Sequence, residues 1–88
     1  SVEDPHGWMS RVYPNPANDW VLFELSEPVT HGTQLVVLDA AGKEVARILP
    51  AVGVTSVRFE TQQLAAGAYQ YRLEREKGVA VGKLMIIR

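Results

Sequence analysis

The residues able to do chemistry are few in this 88-residue chain, and their spacing withholds most of it. His6 and His31 are the only histidines; one sits in an aperiodic leader and the other beside Gly32 in a turn-rich stretch. That separation matches no zinc spacing, and with no cysteine there is no thiolate to complete a metal site, attack a carbonyl or close a disulfide. Asp39 and Gly42 could open a calcium loop, but Ala40 and Ala41 between them supply no oxygen, so a turn is the better reading. No serine stands in a nucleophile elbow, no Gly-X-Gly loop is present to cradle phosphate, and the carboxylates are scattered. No catalytic, cofactor-binding or metal-binding residue is therefore assigned, and no enzyme is expected. Trp8, Tyr13, Trp20, Tyr69 and Tyr71 could line a sugar-binding face, but each falls within a strand pattern that core packing explains.

Those strand patterns must position whatever function the chain has. Ser1–Gly7 carries a proline, a glycine and two acids without periodicity and reads as a linker or leader. From Trp8 onward, short β-branched and aromatic runs alternate with turn residues. Strands are expected at 8–13, 20–25, 34–39, 44–49, 54–60, 69–74 and 79–87. Pro14-Asn15-Pro16 makes a corner after the first, since proline removes a ladder donor and restrains its predecessor. Val21, Phe23 and Leu25 share one face, and Leu35-Val36-Val37-Leu38 reads as buried on both. Asp39-Ala40-Ala41-Gly42-Lys43 is a hairpin signal, with Gly42 as the left-handed residue that rejoins the strands. Residues 61–67 are the one stretch that could form a helical turn. Seven strands at this spacing predict an all-β, seven-stranded, immunoglobulin-like antiparallel β-sandwich. Leu64-Ala65-Ala66-Gly67-Ala68-Tyr69 has the form of a tyrosine corner, in which a phenol ties a connection back to the backbone.

Composition bounds the partners. Nine basic against ten acidic residues leave a net charge of -1, so nothing marks a nucleic-acid surface. No apolar run approaches the roughly 20 residues of a membrane helix, and membrane insertion is not expected. The chain opens at Ser1 rather than Met, which points to a processed product or a piece of a longer protein. Cysteine usage does not fix the compartment.

Four stretches in this order and spacing resemble a known family. They are Val12-Tyr13-Pro14-Asn15-Pro16-Ala17, Asp39-Ala40-Ala41-Gly42-Lys43-Glu44-Val45, Leu64-Ala65-Ala66-Gly67-Ala68-Tyr69-Gln70-Tyr71 and Gly82-Lys83-Leu84-Met85-Ile86-Ile87-Arg88. Together they resemble the type A C-terminal sorting domain of the type IX (Por) secretion system of Bacteroidetes. The resemblance covers residues 12–88, leaving 1–11 as linker and start of the first strand. It implies a non-catalytic address label at the C-terminus of a cargo that reaches the periplasm by an ordinary signal peptide. The partners it implies are the type IX outer-membrane translocon, a sortase-like cysteine peptidase and an N-terminal cargo domain absent from this chain. The peptidase would cut within or before residues 1–11 and join the cargo to anionic lipopolysaccharide at the cell surface. Asp4-Pro5-His6-Gly7-Trp8 matches no defined cleavage pattern.

The resemblance places recognition on Gly82, Lys83, Leu84, Met85, Ile86, Ile87 and Arg88. On an edge, such a strand could be read by strand addition, with Gly82 allowing close approach and Lys83 meeting an acid. Burial accounts for Leu84 and Ile86, whereas Lys83 and Arg88 lean towards recognition. Tyr13, Pro14, Asn15, Pro16, Asp39, Gly42, Lys43, Leu64, Gly67 and Tyr69 shape the frame. A label of this kind has to end its protein at Arg88. The alternative is an immunoglobulin-like accessory module that binds carbohydrate or acts as a spacer in a secreted enzyme, and exposed edges leave homodimerisation open.

Overall fold

A computed structural model describes residues 2–3 and 7–88. His6, Ser1 and the Asp4–His6 part of the leader lie outside the described residues. The protein is all-β, and the seven expected strands are present in two antiparallel sheets. They are β2 (Met9–Tyr13), β3 (Trp20–Leu25), β4 (Gln34–Leu38), β5 (Glu44–Ile48), β6 (Ser56–Glu60), β7 (Gly67–Arg75) and β8 (Gly78–Ile86). A two-residue strand, β1 (Val2–Glu3), precedes them and pairs with Gly82 and Val81 of β8. Part of the supposed linker is thus strand. Backbone pairing needs no side-chain periodicity, so the sequence carried no signal of it.

One sheet runs β1-β8-β7-β4-β5 and the other β2-β3-β6. Their inner faces meet as the alternation demands. Val21, Phe23 and Leu25 are buried from β3, and Leu35, Val37, Tyr71, Leu73, Ala80, Leu84 and Ile86 from the larger sheet. Phe23 and Tyr71 pack edge to face across the sandwich with ring centroids 5.1 Å apart. Trp8 is buried as well, under the Arg75 guanidinium, and its carbonyl accepts from the Ser26 amide.

Strand β4, flanked in the sheet by β7 and β5, is buried on both faces. On the outer side Val36 stands between Arg47 and Arg72, whose stems cover it while their heads pair with Glu44 at 2.7 Å and Glu74 at 3.0 Å. The hydrogen bond from Arg47 holds the Glu44 carboxyl below its ordinary pKa. Residues 61–67 form one turn, closed by the Leu64 amide on the Thr61 carbonyl at 3.0 Å, and the described residues contain no helix.

Candidate functional site

Gly82 is where local packing and the terminal motif first meet. It lies directly across the β7–β8 ladder from Tyr71, and a Cβ at residue 82 would fall on the Tyr71 ring. The phenol therefore fills the space a side chain at residue 82 would take, a close approach that only glycine permits. Beyond Gly82 the side chains alternate. Leu84 and Ile86 are each 1% exposed, whereas Met85 is 43% and Ile87 48% exposed. Lys83 is exposed and makes no ion pair among the described residues.

The backbone of this terminal stretch is already partnered on the side away from β7. Asn15 Nδ2 donates to the Lys83 carbonyl at 3.1 Å, and Asn15 Oδ1 accepts from the Met85 amide at 3.1 Å. The Ala17 amide donates to the Met85 carbonyl at 2.7 Å, and the Ala17 carbonyl accepts from the Ile87 amide at 2.8 Å. The Asn15 amide group thus imitates a backbone unit, and Ala17 forms a one-residue parallel bridge to Ile86. The Tyr13–Pro14 and Asn15–Pro16 bonds in this corner are cis. The outward donors and acceptors of residues 83–87, which strand addition to a free edge would need, are thus occupied from within the chain.

Arg88 is tied down too. Its guanidinium donates to the carbonyls of Asn18, Thr61 and Leu64. Three carbonyls from two loops converge on that planar head, which ties the chain terminus to both. Thr61, fully buried, donates its hydroxyl to Asn18 O at 2.9 Å and its amide to Asp19 O at 2.8 Å, welding the same two loops. In the same connection Tyr69 donates its phenol to the Ala65 carbonyl at 2.7 Å, the geometry of a tyrosine corner. Gly67 opens β7 with φ +153°.

The hairpin turn completes this end. The Asp39 carboxylate accepts from the Ala41 and Lys43 amides, each at 2.9 Å, and Gly42 takes φ +85° as its amide bonds to Asp39 O. Between this turn and the last strand lies a cleft of about 520 Å³, lined by Asn15, Asp39, Gly42, Tyr69, Lys83 and Met85 among others. Each of the four sequence stretches contributes to it. Ala68, cross-strand partner of Met85, also lines it and is small enough to leave the space open.

The remaining sequence candidates lie elsewhere. His31 is exposed in the 26–33 loop, and no group of three or more His, Asp or Glu gathers among the described residues. Trp8, Tyr69 and Tyr71 are buried. Tyr13 and Trp20 are half-buried on the smaller sheet, under Arg11 at 4.4 Å and Arg58 at 4.6 Å from their ring centroids. Tyr13 also donates to Glu24 Oε2 at 2.8 Å, which raises its pKa above the ordinary tyrosine value. Sequence reasoning missed Asn18 and Thr61 and gave Ala17, the last residue of the first stretch, no role of its own. Only the proximity of Asn18 to Pro16 could have drawn attention to it.

A family model described as "secretion system C-terminal sorting domain" matches residues 11–87. Among solved structures, the crystal structure of CopC from Methylosinus trichosporium OB3b superposes with a TM-score of 0.58 at 18% identity. The match covers 92% of this chain and 91% of that one, and it shows a shared β-sandwich fold. No curated protein matches.

Proposed function

Since the chain belongs to the family of secretion system C-terminal sorting domains of the type IX (Por) system, we propose that it is a non-catalytic address label read by the outer-membrane translocon. In this reading a cargo precedes residues 1–11. The label carries that cargo across the outer membrane, and a sortase-like cysteine peptidase then cuts within or before residues 1–11 and attaches the cargo to the cell surface.

The observation that carries the reading is convergence. Stretches separated by up to 70 residues along the chain are hydrogen-bonded into one end of the sandwich, around one cleft. Antiparallel pairing brings the end of β4, the start of β7 and the end of β8 to this end, and the Asn15 and Arg88 hydrogen bonds then fasten the 14–19 corner onto the terminal strand. A fold by itself does not give a function, so the support comes from the site and the family together.

The test is export of a fluorescent periplasmic reporter carrying residues 1–88 at its C-terminus, in a bacterium with and without a working type IX translocon. Fluorescence at the surface or in the medium, abolished in the translocon mutant, is the expected result. Retention of folded reporter in the periplasm of both strains would refute the sorting role and return the chain to the class of accessory modules.

A further inference from the structure

We infer that the label is read face-on, through the outward side chains of Lys83, Met85 and Ile87, by a protein surface that offers an acidic side chain flanked by apolar ones. This deepens the sorting reading and rests on it.

Two modes of recognising a terminal strand are available in principle. A partner can pair with its backbone edge or touch the side chains on its face. The edge is closed here. Lys83 O, Met85 N, Met85 O and Ile87 N, which face away from β7, are bonded to Asn15 and Ala17. Of the side chains, Leu84 and Ile86 point into the core, Gly82 has none, and the Arg88 head is fastened to three carbonyls. Lys83, Met85 and Ile87 are left, at the two-residue period that puts them on one face.

The chemistry of the occupant follows from charge and shape. Arg11, Arg47, Arg58, Arg72 and Arg75 all have acid partners within the chain. Lys83 has none among the described residues, and Lys43, next to the Gly42 wall of the cleft, has none either. A partner that buries this face must bring an acid to Lys83, because a buried charge without a partner is costly. Met85 and Ile87 need apolar neighbours, and the cleft beside Met85, walled by Ala40 and Ala68, has room for an inserted side chain. Apart from Val79, the other large exposed apolar side chains, Leu49 and Val52, lie in the β5–β6 connection at the opposite end.

The test uses the same reporter with the full 88-residue label and variants K83E, M85D, I87D and their combination. All three positions are exposed, so the melting transition should stay near that of the parent. Surface display should fall by about tenfold or more for K83E and M85D, as when a central contact of an interface is reversed. K83R and M85L should retain it. If the triple variant does not melt cooperatively, the single variants decide. Translocon-dependent display of the triple variant at the parent level would overturn the inference while leaving the sorting role standing. Absence of display by the parent removes both. Purified label is also mixed with vesicles containing lipopolysaccharide; adhesion lost in K83E in parallel with display would make the occupant a lipid and overturn the protein partner.

Discussion

Gly82 and Tyr71 show how one position answers to both packing and motif. Tyr71 is fully buried and held edge to face by Phe23, so its ring has no room to leave residue 82. The G82A substitution should therefore destabilise the domain by roughly 1–3 kcal/mol, the usual cost of forcing atoms into a filled core. A domain of this size loses about 4–8 °C of melting temperature per kcal/mol, so thermal unfolding resolves the effect easily. An unchanged midpoint would mean that the ring moves aside freely. Gly82 was legible in the sequence as a place of close approach. What approaches was not legible, because the cross-strand partner depends on the register of β7 against β8.

At the scale of elements, Asn15 replaces a strand. Its amide completes the outer edge of β8 where β1 no longer reaches, and Ala17 continues the pairing. N15A should leave Lys83 O and Met85 N to water, at a cost of about 0.5–1.5 kcal/mol because the site is exposed. The sharper readout is hydrogen exchange. The Met85 amide should exchange faster, while those of Leu84 and Ile86, which lie in the β7–β8 register, keep their protection. N15A should also associate more readily at high concentration, since it opens a strand edge. Equal protection of Met85 in both proteins would show that the Asn15 bonds contribute nothing. The sequence marks Pro14-Asn15-Pro16 as a corner but not as a cover for the tail. A contact 70 residues distant leaves no local periodicity to read.

For the whole molecule, the tail is both part of the core and the surface proposed to be read. Removing residues 83–88 deletes Leu84 and Ile86, worth about 1.5–3 kcal/mol each by burial, together with the Arg88 bonds that join two loops. A chain of this length has only about 4–13 kcal/mol of net stability at 0.05–0.15 per residue. The chain 1–82 should therefore lack a cooperative melting transition, and its failure to be exported would be a failure to fold. A truncated chain that still melts like the parent would separate tail from core and contradict the packing described here. Substitutions on the exposed face, unlike the truncation, change the surface without changing the fold.

The strand positions, the hairpin at Asp39–Lys43 and the form of the tyrosine corner followed from local pattern: two-residue alternation, turn chemistry and a short motif each lie within a few neighbouring residues. The four family stretches were likewise visible as linear text. Tertiary structure alone decided that they share one end, that the terminal strand has its edge closed, and that the Arg88 head is hydrogen-bonded while the Lys83 ammonium has no ion pair among the described residues. Those outcomes depend on which loops the two sheets bring together, and long-range hydrogen bonds between a side chain and a distant backbone have no counterpart in sequence spacing.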